Sequence, residues 1–375
     1  MNSDIPRIVL TGGPCGGKTT GISYLQEKFG DMGFSVICVP ETATEVFKSG
    51  VQIGREGLTT LEFQEQLLLM QIEKEDRYLK IAKRIKNPRK IIIFDRGIMD
   101  QRAYLGSGEF EALVESKNLN IPQLRDKRYD GVFHLVTAAF GAEEFYTLEN
   151  NSARLEKTFE QARAKDELTL NAWVGHPHLR VIDNSTDFDG KMRRLRAAIC
   201  RVIGIPTPLE IERKFLVEMP EISEIEKLTA GKVAPIDIEQ IYLIGDGKKS
   251  RRIRKRGQNG HYVYYQTEKK KIRPSVRIET ERQIDVMTYN KLLITERDER
   301  FSVIKKTRNC FIWNNQYFEL DVFRRPEKLE KDKIVILEIE LTEENEKVEI
   351  PPFIKVIKEV TDDSSFTNKA LAKHR

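Results

Sequence analysis

The chain has no run of roughly 18 consecutive apolar residues, so a membrane-spanning helix of ordinary length is excluded. Cysteine is scarce. The four present, Cys15, Cys38, Cys200 and Cys310, lie far apart without a CxxC pair, which leaves neither a zinc framework nor a disulfide scaffold and points to a reducing compartment. The opening MNSDIPRIVL lacks a charged segment leading into a long apolar stretch, so no secretory leader is expected. A cytoplasmic protein is therefore expected. Charge of one sign is also lacking: 63 Lys and Arg against 58 Asp and Glu leave a net charge of only +5. Bulk polyanion binding is not implied, and any phosphate recognition must come from local clusters. No continuous basic stripe lies on a helix, so nucleic acid is not an expected partner. Internal repeats of roughly 20 to 50 residues and low-complexity stretches are missing too, which sets solenoids aside.

What is present is enough apolar side chain, 39% of residues, to build ordinary cores along 375 residues. That length is about two and a half times the one-domain prior, so two domains are expected. The first half alternates short β-branched runs (8–10, 35–39, 91–94, 132–136 and 179–183) with helical stretches, the rhythm of βαβ units around a parallel sheet. Residues 58–85, free of Gly and Pro, should form one long helix or a bent pair. A helical stripe through Leu195, Ala198, Ile199 and Val202 ends at Gly204, and Pro206 and Pro208 mark a boundary. The domains expected are 1–205, an α/β domain, and 206–375, mostly antiparallel sheet with turns such as GDGKKS and GQNGH.

Directly after the first strand comes TGGPCGGKTT. Gly12, Gly17, Lys18 and Thr19 fit GxxxxGK[ST], and Gly13, Gly16 and Thr20 complete the expected nucleotide-binding loop. Glycines let the backbone turn its N–H groups inward around a polyphosphate, and the following helix adds its positive end. Lys18 would reach the β- and γ-phosphates and the Thr19 hydroxyl would bind Mg²⁺. The run IIIFDRG supplies Asp95 as the second metal-side acid, with Arg96 beside it. Glu41, expected to end the strand SVICVPE, is either an acceptor-side carboxylate of a kinase or a charge at a helix N-terminus. Asp95, Arg96 and Glu41 are the catalytic candidates. The basic residues of 154–163 could close over phosphates, and His176 and His178 flank Pro177 in a loop where a structural role is at least as well supported.

These motifs, together with NAWVGHPHLRVIDNS, resemble the P-loop domain shared by the NadR ribosylnicotinamide kinases and the TRPL translocation defect proteins, over about residues 5–205. No NKxD element is placed to read guanine, so the motifs leave GTP and ATP open, while the second resemblance implies GTP.

The second half opens with LEIERKFLV, where Glu210, Glu212 and Lys214 share one strand face. Clustered inward carboxylates call for a hard divalent cation, Mg²⁺ or Mn²⁺. SRRIRKRG puts Arg252, Arg254 and Arg256 on one face; YYQTEKKK adds Thr267, Lys269 and Lys271; KKTR adds Lys306 and Arg308. FELDVF contributes Asp321, and ILEIEL contributes Glu338 and Glu340. Each strand alone reads as a solvated face over an apolar one. Together they sort into acid-only and base-only sets, as a site with metal on one wall and polyphosphate on the other would need.

ExExK, RxRxR, KxR and ExE in this order look like the CYTH family of triphosphate tunnel metalloenzymes, over about residues 209–372, and RIETERQI with Arg277, Glu279 and Glu281 resembles a further family strand. The resemblance implies an eight-stranded antiparallel tunnel that binds triphosphate through inward Arg and Lys with Mg²⁺ on the acids. As a whole the architecture resembles the TRPL translocation defect proteins, which implies nucleotide-controlled binding of anionic phospholipid in membrane-protein trafficking, with possible peripheral membrane contact. Mg²⁺-dependent triphosphate hydrolysis is the catalytic alternative, and the residues alone leave turnover open.

Overall fold

The computed structural model describes residues 5–373 except 55, 107, 146–157, 206–210, 230–231, 246–248, 274–275, 325–333 and 344–345. The chain divides into two compact units, 1–199 and 200–375.

The first unit runs β1 (Arg7–Thr11), α1 (Lys18–Asp31), β2 (Ser35–Val39), α2 (Thr42–Lys48), α3 (Thr60–Arg84), β3 (Lys90–Asp95), α4 (Glu109–Ser116), β4 (Gly131–Leu135), α5 (Phe159–Ala172), β5 (Leu179–Ile182) and α6 (Phe188–Ile203). Its five strands form a parallel sheet in the order β2-β3-β1-β4-β5. Ile8, Val9 and Leu10 of β1 and Ile91, Ile92 and Ile93 of β3 are fully buried, which explains why these strands read as continuous apolar runs. The long segment is one helix. Thr59 caps it in a reciprocal box with Glu62, so Leu58 stays outside; such a cap is worth about 1 kcal/mol.

The second unit runs β6 (Glu212–Val217), α7 (Ile222–Leu228), β7 (Ala234–Leu243), β8 (Lys249–Gln258), β9 (His261–Arg273), β10 (Val276–Ile284), α8 (Val286–Thr295), β11 (Ile304–Trp313), β12 (Gln316–Arg324), β13 (Val335–Glu340) and β14 (Val356–Glu359). The sheet is antiparallel, in the order β10-β9-β8-β7-β11-β12-β13-β6-β14. To the eight expected strands it adds β14, a short exposed strand on the free edge of β6. Asn259 and Gly260, both at positive φ, make the two-residue turn between β8 and β9. The GDGKKS turn falls largely outside the described residues.

Period-two alternation sorts the sheet into two faces. One carries Phe215, Val217, Phe311, Phe318, Leu320, Val322, Val335, Leu337 and Ile339, packed with Ile225 of α7. On the same face Ile241, Leu243 and Ile253 meet Tyr289 and Leu292 of α8. The other face carries the charged residues, and it is not a water-facing surface: Asp321 is 0%, Arg256 2%, Lys306 5% and Glu319 5% exposed. Both faces withdrawn from water are consistent with a sheet curled around a charged interior. Among the described residues no helix is long and apolar enough to cross a membrane.

Candidate functional site

In the first unit, β1 sits at the middle of the sheet with β3 on one side and β4 on the other, where strand order reverses and ligands are held beyond the strand ends. The phosphate loop leaves β1 there and is pressed against the end of β4. A Cβ on Gly12, whose φ is +142°, would lie 2.2 Å from the Leu135 carbonyl oxygen, so only glycine fits. Gly17 then turns into α1 at φ +87°. The outer side of the loop is clamped by Asp166 of α5, whose carboxylate accepts from the amides of Gly13 at 2.6 Å and Thr137 at 3.2 Å and lies 3.2 Å from His134 Nε2.

Lys18 Nζ donates to the carbonyls of Gly12 and Gly13, both at 3.0 Å, and burial pushes its pKa down to about 8, with Arg96 adding to the effect. Asp95 is opposite Leu10 at the end of β3. Its Oδ1 is buried without a hydrogen-bond partner, and burial raises its pKa. Arg96, at φ +66°, places Nε 2.7 Å from Glu41 Oε1 and Nη1 3.2 Å from Asp100 Oδ1. Burial opposes ionisation of Glu41, but Arg96 and the Thr44 hydroxyl at 2.7 Å hold its carboxyl below the usual range.

These residues line a cavity of about 910 Å³ that includes Gly16, Gly17, Lys18, Thr19 and Thr20. The volume exceeds what a phosphate chain fills, and Phe47, Phe63, Gln64, Gln71, Gln101 and Tyr104 line it as well. Thr19 and the orphaned Asp95 oxygen are hard donors of the kind Mg²⁺ takes.

Several expectations need correcting or completing. Glu41 does not end a strand: β2 stops at Val39, and Glu41 is the N-cap of α2 while also paired with Arg96. Arg154 lies outside the described residues, and Arg163 is committed to the Ala139 carbonyl at 2.6 Å and to Glu143 at 2.9 Å. His176 is buried, with Nε2 3.1 Å from the Tyr129 carbonyl oxygen and Nδ1 accepting from the His178 amide, a structural use. Asp100 and Asp166 were missed. Asp100, buried, gathers Thr11, Arg96, the Gly97 amide and Trp173. Only its position five residues after Asp95 hinted at it.

In the second unit the register places Glu212 and Lys214 on β6, Glu338 and Glu340 on β13, Glu319 and Asp321 on β12, Lys306 and Arg308 on β11, and Arg252, Arg254 and Arg256 on β8 along one face. Glu210 and the side chains of Lys269, Lys271, Arg277 and Glu279 lie outside the described residues; Thr267 and Glu281 are on this face. The expected separation of acids from bases does not hold. Because β11 is hydrogen-bonded to β12, and β13 to β6, opposite charges become neighbours. Arg308 Nε and Nη2 grip Asp321 at 2.7 and 2.6 Å, and Nη2 reaches Glu338 at 2.6 Å. Lys306 pairs with Asp321, and Lys214 lies 3.0 Å from Glu212 and 3.2 Å from Glu338. Arg254 holds both oxygens of Glu281 at 2.7 Å. The Lys214 and Arg308 cations hold the Glu338 carboxyl far below the usual range despite its burial.

Glu319 is the acid the motifs missed. It lies two residues before Asp321 and opposite Glu338, pairs with Arg308 through one oxygen, and keeps the other buried and unpartnered. Period-two spacing within FELD was the available signal. Glu212, Glu319, Asp321 and Glu338 are the hard oxygen donors a divalent cation would use. Among the described residues no three such groups already converge as a metal site.

Comparison with known proteins agrees with these two halves. An AAA domain model matches residues 7–191 and a CYTH domain model matches residues 208–358. Similar solved structures include the inorganic triphosphatase NE1496, 30% identical, with 44% of this chain and 96% of that one covered at a TM-score of 0.31. A putative adenylyl cyclase, HpAC1 from Hippeastrum, described as having a dominant triphosphatase activity, is 16% identical, covering 36% and 80% at 0.28. The protein PH1819 from Pyrococcus horikoshii OT3 is 23% identical, covering 36% and 80% at 0.27. No curated protein matches the chain. The chain belongs to the proteins in which a nucleotide-binding AAA domain of the P-loop type is followed by a CYTH domain.

Proposed function

We propose that the CYTH domain binds a free polyphosphate chain in its charged interior and hydrolyses it with a divalent cation, Mg²⁺ or Mn²⁺, while the AAA domain binds a nucleoside triphosphate. The observation that carries this reading is the register: six cations and six carboxylates of the described strands lie on one sheet face whose centre is buried. The cations Lys214, Arg252, Arg254, Arg256, Lys306 and Arg308 would hold phosphoryl oxygens, and Glu212, Glu319, Asp321, Glu338 and Glu340 the metal. When bound, the metal would activate water for attack on a terminal phosphorus, breaking a P–O–P bond and releasing phosphate.

An anionic phospholipid headgroup, regulated by GTP in membrane-protein trafficking, is the reading the TRPL resemblance supports. Burial favours the free ligand, since a headgroup anchored in a bilayer does not reach Arg256 and Lys306 at 2% and 5% exposure. In the first unit Lys18 and the loop amides would cradle the phosphates, Thr19 and Asp95 would hold the cation, and Glu41, kept ionised by Arg96, would accept a proton if an acceptor is phosphorylated.

The test is phosphate release from tripolyphosphate in Mg²⁺ by the full chain and by Glu212→Gln, beside binding to vesicles containing phosphatidic acid. Hydrolysis lost in the variant supports the reading. Release at the same low rate from both proteins, with binding to vesicles that needs Arg252, Arg254 and Arg256, replaces it with the lipid reading.

A further inference from the structure

The cations that would receive polyphosphate from β6 and β11 are already occupied. Arg308 reaches Asp321, Glu319 and Glu338, Lys306 is paired with Asp321, and Lys214 with Glu212 and Glu338. Three cations, Lys214, Lys306 and Arg308, thus face four carboxylates, Glu212, Glu319, Asp321 and Glu338, a net charge of −1 when all are ionised. That half of the interior repels an anion as it stands. Phosphoryl oxygens and carboxylates are also equivalent partners for a guanidinium fork, so the two compete for the same N–H groups. Displacing Asp321, which is fully buried, would leave a carboxylate without compensation in a dry interior.

We infer that Asp321, Glu319 and Glu338 are internal competitors of the polyphosphate, holding Lys306 and Arg308 until a divalent cation takes over the carboxylates. The inference rests on the polyphosphate reading of this face. The unpartnered Oε1 of Glu319 offers the cation an oxygen from which nothing need be displaced. Each step then favours the other: the cation frees Lys306 and Arg308 for phosphoryl oxygens, and the polyphosphate removes those two from the carboxylates. Linkage makes the gain in affinity the same in both directions. Tripolyphosphate alone should bind weakly, and Lys306 and Arg308 should switch between two partnerships when the cation arrives.

A carboxylate that served solely as a metal ligand would leave tripolyphosphate binding unchanged in the absence of metal. A competitor behaves otherwise, and removing its charge tightens metal-free binding. The experiment uses the full chain carrying Lys18→Ala, so that the phosphate loop contributes nothing, and titrates tripolyphosphate calorimetrically in EDTA. Asp321→Asn should bind about tenfold more tightly than its parent. The gain should vanish when Lys306→Met and Arg308→Met are added together, since both cations that Asp321 holds are then gone, whereas a general field effect of one lost negative charge would persist. Equal or weaker binding by Asp321→Asn with the parent's near-UV dichroism, or a gain that survives the loss of both Lys306 and Arg308, overturns the inference. Glu338→Gln, whose partners are Lys214 and Arg308, serves if Asp321→Asn does not fold: it should also tighten metal-free binding, and equal or weaker binding overturns the inference. Arg256→Ala separates the two levels: tripolyphosphate binding that ignores Arg256 with and without Mg²⁺ sinks the polyphosphate reading itself. Binding that needs Arg256 but does not tighten in Asp321→Asn sinks the competition alone.

Discussion

Arg308 and Asp321 stand directly opposite each other on β11 and β12, and the guanidinium grips the carboxylate through two nitrogens at 2.7 and 2.6 Å. The pair is the hub of the second unit's interior, because the same guanidinium also reaches Glu319 and Glu338. Its energetics are those of a buried ion pair, where losing one partner is far worse than losing both. Arg308→Ala should destabilise the unit by about 3–5 kcal/mol, and Arg308→Met combined with Asp321→Leu should not recover that loss, because Glu319 and Lys306 then keep buried charges without these partners. Urea unfolding of the three proteins decides it, and full recovery in the double variant would refute the hub.

In the first unit, Lys18→Ala should weaken nucleoside triphosphate binding by roughly 10- to 100-fold, the worth of one charge-assisted contact. The melting transition should not fall, because among the described residues the lysine's hydrogen bonds go to the Gly12 and Gly13 carbonyls of its own loop. Fluorescent nucleotide titration with GTP and ATP as competitors measures both the loss and the base preference.

Gly12→Ala meets two obstacles, a Cβ 2.2 Å from the Leu135 carbonyl oxygen and a φ of +142°. The loop must move away from β4, so nucleotide binding should be lost together with about 1–3 kcal/mol of stability. A variant that binds normally would show that the loop does not rest on β4 as described.

Lys18 and Lys191 both line the cavity, and burial lowers each to about 8. For a lysine with a lowered folded value, the unfolded chain binds more protons between about 8 and 10.5, so stability of the nucleotide-free protein should rise with pH across that window. Phosphates restore the charge, so nucleotide binding at a pH just above 8 should take up protons. Calorimetry in buffers of different ionisation enthalpy at that pH measures the uptake, and zero uptake would contradict the lowered values.

Much of both sites was legible in the sequence because its signals are local. GxxxxGK[ST] between a strand and a helix specifies a loop, and i, i+2 spacing specifies a shared strand face whatever the neighbouring strands are. Glu319 was open to the same rule and was overlooked because FELD invited attention only to its aspartate. Asp166 was not legible: it meets Gly13 across 153 residues, and nothing near it in the chain distinguishes it from other helix acids.

Two domains, the phosphate loop and the sharing of side chains on each strand face follow from the chain's local pattern, because backbone period and glycine content set them. Which strands are neighbours emerges with the folded sheet. That order brings β11 against β12 and β13 against β6, so acids and bases that alternate separately along the chain meet as ion pairs. Cross-strand partners are set by sheet order, a long-range property that no single strand encodes, and here it turns two expected walls into one interlocked set of charges.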